Sequence, residues 1–346
     1  MENKSHSYGI LLAGGGGYRL WPLSRKNNPK YFLPLNNQTS LLEATLQRMA
    51  LLIDKDKQVI VTTKDQVANI KKYLPISLHS ILHQDFIEPR ARNTAAAVLL
   101  ATLRIYTTDP DALLFFAPVD HDIPDEQLFC EHMHKALNYA AEHNTLVLLG
   151  ITPSYPATGY GYIQKEDATT YTTTAYAVKK FYEKPLYADA CLYINQGMLW
   201  NSGIFCAPAA VIIEHYKNYA QDMLCAMQDY ILTNDPEKYY TLQSISFDHL
   251  ILEKCPAYVI PAQCAWSDMG TFATLLDHTH YQQPAITIDG DNNKAFAPGK
   301  LVTFLGVENI WVIETHDAIL VMKNSDTENV KKIASKLTEC GYEQYV

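Results

Sequence analysis

The stretch LLAGGGGYRLWPLSRKNNPKYFLP, residues 11–34, holds the densest set of side chains able to do chemistry. An apolar run ends in four glycines, Gly14 to Gly17, and Arg19, Arg25, Lys26 and Lys30 follow, with Pro22 and Pro29 among them. Glycine lets the backbone approach a ligand closely and turn its N–H groups toward an anion. After a strand, such a loop suits a phosphate. Spacing excludes two common phosphate loops. A dinucleotide fingerprint G-x-G-x-x-G needs a third glycine at position 19 or 20, where Arg19 and Leu20 stand, and a P-loop needs a Gly-Lys-Ser/Thr that is absent. What remains is a glycine-rich loop whose cations come afterwards, on a segment that two prolines keep out of regular helix. A surface turn with solvated charges fits the composition too.

Further candidates lie downstream. The apolar run 112–117 leads into Pro118-Val119-Asp120-His121. A carboxylate just past a buried parallel strand suits Mg²⁺, and the same local sequence suits a turn-capping aspartate. Glu88-Pro89 precedes Arg92-Asn93-Thr94. That is a polar helix start whose arginine fits a base edge and phosphates, or an ordinary cap with a solvated arginine. In Thr158-Gly159-Tyr160-Gly161-Tyr162-Ile163, paired glycines allow close approach of a ligand or simply turn into a strand. Glu183-Lys184-Pro185 offers an adjacent carboxylate and ammonium; a surface ion pair before a helix reads the same way.

These groups need a scaffold, and residues 8–150 alternate short apolar runs with amphipathic segments. Strands are expected at 8–13, 58–63, 77–83, 112–117 and 146–150. Helices are expected at 40–53, with Ser40 and Glu43 in capping-box spacing, and at 65–73, 93–106 and 125–143. Asn93 and Thr94 are cap candidates for the third of these. The rhythm predicts an α/β fold: a Rossmann-like, mostly parallel sheet flanked by helices, with ligands beyond the carboxyl ends of its strands. The second half is less regular. Strands are expected at 159–165, 173–182, 197–206 and 257–262, and helices at 186–195, 209–233 and 243–254. From about residue 283 the pattern turns to β-prone alternation over 301–322, then a closing helix at 326–337. Two domains follow: 1–282 and a small β-rich one at 283–346.

Composition sets the outer bounds. The 346 residues are 48% hydrophobic and 19% charged, with a formal charge of −9. That balance suits a globular core and argues against a nucleic-acid surface. No signal-peptide core or run of membrane-spanning length is present, and seven scattered cysteines lack a C-x-x-C pair. A reduced, cytoplasmic protein is expected. The pairs His132/His134 and His278/His280 fall in expected helices, where i and i+2 diverge, so no zinc site is expected there.

The loop resembles the signature of the sugar-1-phosphate nucleotidylyltransferases, and within them the mannose-1-phosphate guanylyltransferases. Their pattern, roughly L-A-G-G-x-G-T-R-L-W-P-L-S-R and then P-K, matches at Leu12 to Gly15, Gly17, Arg19 to Arg25, and Pro29-Lys30. Tyr18 replaces a small hydroxylated residue. Pro118 to His121 is similar to a P-x-D-H segment, with Val119 where a small residue is commoner. Residues 88–96 are similar to E-P-x-x-R-N-T-A-P-A, with Ala96 for the second proline. The T-G-Y-G-Y-I, F-x-E-K-P, W-N-S-G-x-F and W-x-D-x-G segments follow in family order at 158–163, 181–185, 200–205 and 266–270. Resemblance continues through 299–333.

The resemblance implies transfer of GMP from GTP to mannose 1-phosphate. Arg19 and Lys30 would be catalytic, and Asp120 and Asp268 would hold Mg²⁺. Leu12, Ala13, Gly14, Gly15, Arg92 and Asn93 would bind the nucleotide, and Gly161, Glu183, Lys184 and Asn201 the sugar. It also implies a short form without the isomerase domain of longer relatives, and a possible homodimer through the C-terminal domain. Neither nucleic acid nor membrane is an expected partner. Two alternatives stand beside this reading: an enzyme making a UDP-, dTDP- or ADP-sugar, and a non-catalytic regulatory homologue that binds nucleotide-sugar.

Overall fold

Strand β1 (Ser7–Ala13) sits inside the first of two units, where its SYGILLA sequence is buried on both faces except at two positions. The computed structural model describes residues 6–15, 17–35, 39–167, 174–276 and 283–346. The first unit comprises Met1–Gly14, Leu46–Val119 and Ile123–Trp266, and the second Gly15–Thr45, Asp120–Asp122 and Ser267–Val346.

After β1 come α1 (Leu41–Ala50), whose first residues belong to the second unit, β2 (Gln58–Thr63), α2 (Lys64–Tyr73), β3 (Ile87–Glu88), α3 (Asn93–Thr108), β4 (Leu113–Pro118), α4 (Glu126–His143) and β5 (Val147–Ile151). The first unit continues with β6 (Tyr162–Lys165), β7 (Tyr176–Tyr182), α5 (Tyr187–Asn195), β8 (Leu199–Pro208), α6 (Ala209–Tyr219), α7 (Gln221–Thr233), α8 (Pro236–Tyr240) and β9 (Tyr258–Ala262).

Among the described residues its strands form one sheet in the order β3-β2-β1-β4-β8-β5-β9-β7-β6. The half built from β3, β2, β1 and β4 is parallel throughout. There the expected rhythm holds, and the apolar runs reflect burial on both faces. β8 then enters antiparallel to β4 and β5, and β6 and β7 form an antiparallel pair in which β6 also pairs antiparallel with β8. Helix α3 is apolar all round because it is a core helix, buried from Ala95 to Leu103.

Several expected elements differ. The strand expected at 77–83 is a 3-10 turn, Ile76–Ile81, with only Ile81 buried. The edge of the sheet beside β2 is taken by β3 instead, and a short apolar run cannot by itself be told from a turn. The helix expected at 209–233 is two, broken at Ala220 (φ −153°, ψ 46°). Both halves bury apolar faces against α3, which a straight rod of that length cannot do. The helix expected at 243–254 reduces to a π-helical turn, Asp248–Leu252. Just before it, the Ile245 carbonyl accepts from Ala95 N and Phe247 N donates to Thr94 Oγ1 (2.8 Å), so that backbone is held by α3. Strands β6 and β7 are shorter at their starts than expected, and Thr173 lies outside the described residues.

In the second unit the Ser40–Glu43 capping box forms at the start of α1: Glu43 N donates to Ser40 Oγ at 3.2 Å and Ser40 N to Glu43 Oε2 at 3.0 Å. Its later part contains α9 (Phe272–Leu275), β10 (Ala285–Ile288), β11 (Lys294–Phe296), β12 (Val302–Leu305), β13 (Ile310–Glu314), β14 (Ile319–Lys323) and α10 (Lys331–Glu339). β10 pairs with β12, and β11-β13-β14 form a second small sheet. The closing helix expected at 326–337 is a 3-10 stretch, Asn324–Val330, that passes into α10.

Candidate active site

In the first unit, β1 ends at the carboxyl edge of the parallel half, where ligands gather in such sheets. There the Leu12 carbonyl accepts from Val119 N (3.3 Å) and the Ala13 carbonyl from Thr62 Oγ1 (2.7 Å). A side chain added at Gly14, where this unit's first segment ends, would meet nothing within 4 Å, and the same is true at Gly15, the first residue of the second unit. The backbone there is open to a ligand.

In the second unit, Gly17 takes φ +63°, and a Cβ on it would fall 2.5 Å from the Lys30 Cβ. Both the left-handed backbone and the close approach call for glycine. The Ser24 hydroxyl donates to the Gly17 carbonyl and fastens the loop on itself. Tyr18 is exposed, which leaves its extra bulk in solvent. Arg19 Nε lies 3.0 Å from Glu328 Oε2 in a half-exposed pair, a kind that contributes ~1 kcal/mol or less.

Lys30 is different. Its side chain is only 7% exposed, and its Nζ lies 2.5 Å from Asp120 Oδ2 and donates to the Asp268 carbonyl at 2.5 Å. Burial opposes ionisation of Asp120, but the charges of Lys30 and then His121 overcome it, so its pKa lies below the ordinary carboxylate value. Nearly 150 residues separate Asp120 from Asp268 in the chain. A reciprocal backbone pair joins their segments: Asp122 N to the Ser267 carbonyl (2.9 Å) and Ser267 N to the Asp122 carbonyl (3.0 Å). Asp268 Oδ1 accepts from Gly270 N at 2.9 Å, and a Cβ at position 270 would collide with that carboxylate. The structure thus brings Lys30, Asp120 and Asp268 together. The ammonium meets the Asp120 carboxylate and the Asp268 backbone carbonyl; oxygen donors of this kind suit a magnesium-type ion that takes phosphates and water as its other ligands. Among the described residues no group of three or more His, Cys, Asp or Glu could hold a metal by itself. His132 and His134 lie on α4, and His278 and His280 lie outside the described residues.

The first unit also holds the expected sugar residues, and strand register explains their meeting. Tyr162 of β6 faces Tyr182 of β7 and Trp200 of β8, so Gly161 comes beside Glu183 on one side and Asn201 on the other. Asn201 N donates to the Gly161 carbonyl at 2.8 Å, and a Cβ at Gly161 would sit 2.9 Å from Glu183 Oε2. Lys184 takes φ +42° and its ammonium pairs with Glu183. Rings of Tyr160, Trp200 and Trp266 pack edge to face nearby, with Tyr160 about 5 Å from each tryptophan.

One residue was missed by the sequence reading. Asp248, which opens the π-helical turn, accepts from Asn201 Nδ2 at 2.7 Å. Its pKa is raised, by burial first and then by the charge of Glu183. The only signal was a carboxylate in the apolar run SFDHLIL; π turns favour functional sites, but no spacing announces one. Asn201 is thereby oriented, since its Oδ1 also accepts from Gly203 N at 3.2 Å. With Gly161, Glu183 and Asn201 seating a sugar phosphate, as the resemblance implies, Asp248→Ala is expected to raise KM for that substrate roughly 10-fold and leave KM for the nucleotide nearly unchanged, the pattern for one lost charge-assisted bond. Equal changes in both constants would remove Asp248 from the sugar subsite.

Arg92 and Asn93 do not act as a simple helix start. Asn93 takes φ +64° and its Oδ1 accepts from the adjacent Thr94 N, and no side-chain cap is seen at the start of α3, so the expected caps do not cap it; Thr94 serves Phe247 instead. The Arg92 guanidinium donates to the Tyr240 carbonyl. Ala96, where the resembling pattern has proline, is fully buried. Glu88 is buried too, accepts from Tyr239 Oη at 2.5 Å, and is pushed up to about 7 by burial, against that hydrogen bond. A carboxyl raised this way keeps its proton in the folded state between pH 4.5 and 7 while the unfolded chain loses it. Its contribution to stability is full below pH 4.5 and falls by about 3 kcal/mol as pH rises to 7. Urea titrations across that range should show the slope in the wild type and lose it in Glu88→Gln.

The nucleotidyl transferase family model matches residues 8–283. The chain belongs to the nucleotidyl transferase family. A second family model, the MannoseP isomerase/GMP-like beta-helix domain, matches residues 283–337. Among curated relatives, the mannose-1-phosphate guanylyltransferase of Salmonella montevideo is 35% identical, over 95% of this chain and 73% of its own length. The mannose-1-phosphate guanylyltransferase 2 of Escherichia coli O157:H7 is 33% identical over the same shares. A crystal structure from Thermus thermophilus, described as a mannose-1-phosphate geranyltransferase, superposes with a TM-score of 0.84 at 30% identity, covering 96% of this chain and 99% of that one. Members of this family generally depend on a divalent metal. No described helix is long and apolar enough to cross a membrane.

Proposed function

We propose that the protein transfers GMP from GTP to α-D-mannose 1-phosphate, releasing pyrophosphate and forming GDP-mannose. The observation that carries this reading is the Lys30 ammonium set against the Asp120 carboxylate and the Asp268 backbone. It gathers the loop cation and both acidic segments at one point. Relatives named mannose-1-phosphate guanylyltransferase at 33–35% identity support the choice of base and sugar.

In this mechanism an oxygen of the sugar phosphate attacks the α-phosphorus of GTP, and the bond from that phosphorus to the bridging oxygen of the β-phosphate breaks. The attacking group is already an anion, so no general base and no covalent enzyme intermediate are needed. Catalysis is positioning and neutralisation of charge. Lys30 neutralises the α-phosphate, and Arg19 exchanges its loose partner Glu328 for the departing pyrophosphate. The 12–15 backbone, Arg92 and Asn93 seat the nucleotide; Gly161, Glu183, Lys184 and Asn201 seat the sugar. Asp120 and Asp268 would hold Mg²⁺, which when bound offsets phosphate charge.

Residues 1–282 act in this reading as the catalytic domain and 283–346 as a β-rich domain able to pair two copies, supported by the exposed Ile286, Ile288 and Leu305 of β10 and β12. A cytoplasmic location suits the seven cysteines, all free thiols. Isotope exchange tests the scheme. Labelled pyrophosphate should enter GTP only when mannose 1-phosphate is present. Exchange without the sugar phosphate would mean a guanylyl-enzyme and overturn direct displacement.

A further inference from the structure

Arg25, part of the loop segment, is engaged by a carboxylate far along the chain. Its guanidinium grips Asp317 with two bonds, Nη1 to Oδ2 at 2.7 Å and Nη2 to Oδ1 at 2.6 Å, with the arginine side chain 14% and the aspartate side chain 27% exposed. A planar fork on a carboxylate is the strongest form of this contact. Thr315 reinforces it, accepting from Arg25 Nη2 (3.3 Å) and donating to Asp317 Oδ1 (3.0 Å). The Asp317 carboxyl is held at about 2, first by its bond from Arg25. Asp317 sits in the tight turn that joins β13 to β14, closed by Thr315 N to the Ala318 carbonyl at 2.9 Å.

The other side of Arg25 faces its own loop. Its Nε donates to the Pro22 carbonyl at 3.1 Å, and its backbone pairs reciprocally with Asn28 at 2.9 and 3.0 Å. Asn28 Nδ2 donates to the Leu23 carbonyl at 3.0 Å. Pro29 and Lys30 follow at once. Trp21 Nε1 adds a bond to the Tyr345 carbonyl at 2.7 Å, and the Tyr345 ring lies 6.0 Å from the Arg25 guanidinium.

We propose that Asp317 is a positioning residue for the transfer reaction: through Arg25 it fixes the 22–28 turn and so holds the Lys30 ammonium where the α-phosphate is met. The β13–β14 turn is then part of the catalytic apparatus, although it follows the catalytic segment by some 300 residues of chain. The proposal rests on the reading of Lys30 as the α-phosphate ligand, and the test separates the two.

Four purified variants would be compared in steady-state assays with GTP and mannose 1-phosphate: Asp317→Ala, Arg25→Ala, the double variant, and Lys30→Ala. Asp317→Glu serves as the conservative variant, and thermal unfolding is followed for each. Asp317→Ala is expected to lower kcat about 10- to 100-fold with KM for mannose 1-phosphate within about 3-fold. Because both act as one clamp, the double variant should lose no more than the worse single. Asp317→Glu should recover at least a third of the lost kcat. The proposal is overturned if folded Asp317→Ala turns over within 2-fold of wild type while Lys30→Ala is inactive. It is equally overturned if the two single losses multiply, or if both KM values, kcat and melting temperature fall together and Asp317→Glu restores none of them. If Lys30→Ala itself turns over normally, the α-phosphate reading fails instead.

Discussion

Replacing Lys30 with alanine is expected to lower kcat by roughly 10²–10³-fold or more, the typical cost of removing one preorganised charge from a transition-state site. The ammonium is buried and lies at hydrogen-bond distance from both the Asp120 carboxylate and the Asp268 carbonyl. Two losses therefore coincide. The α-phosphate loses its cation, and Asp120 keeps the desolvation cost of its charge without the main interaction that offsets it. Its carboxyl should rise toward protonation, which further weakens the site. The sheet of the first unit contains none of these residues, so far-ultraviolet circular dichroism should match wild type. Steady-state turnover with that spectrum as control is the check; a folded variant with wild-type rate would remove Lys30 from the mechanism.

Asp120→Asn is the second large effect. Asparagine preserves volume and one oxygen acceptor but deletes the anion that faces Lys30 and the proposed metal. A loss of roughly 10²–10³-fold in kcat is expected at saturating substrates and metal, with KM for the sugar phosphate changed far less. The charge, rather than the shape, is what this variant tests. Asp120→Glu, which keeps the anion on a longer stem, should recover only part of the rate, because displacement by about 1 Å in such a site costs up to 10²-fold. If Asp120→Asn retained most of its rate, the residue would be a turn cap, as its local sequence equally allowed.

That ambiguity shows what the chain made legible. The parallel half of the sheet was readable because strands buried on both faces are continuous apolar runs, as in LLFFAP of β4. The capping box at Ser40 and Glu43 was readable because both partners lie within one turn of helix. The meeting of Asp120 with Asp268 was not, since a two-residue backbone pair between distant segments leaves no periodic trace; only resemblance to a family joined them. Register carried more than composition in the proposed sugar subsite. Gly161, Glu183 and Asn201 lie far apart in the chain and come together because Tyr162 faces both Tyr182 and Trp200. Two of the misread elements share a cause. Asn93 and Thr94 look like caps, and residues 243–254 like a helix, until α3 and the 245–247 backbone are seen to satisfy one another. Asp248 disappeared into that false helix. Tertiary hydrogen bonds overrode local preference at the very point where Asn201 is held.

The most direct measurement is pyrophosphate release by the purified protein with Mg²⁺, with each of GTP, UTP, dTTP and ATP paired with mannose, glucose and fucose 1-phosphates. Release confined to GTP with mannose 1-phosphate, in step with GDP-mannose formation, is the predicted result. Faster release with any other pair would contradict the assignment of base and sugar, and no release from folded, nucleotide-binding protein would contradict catalysis itself.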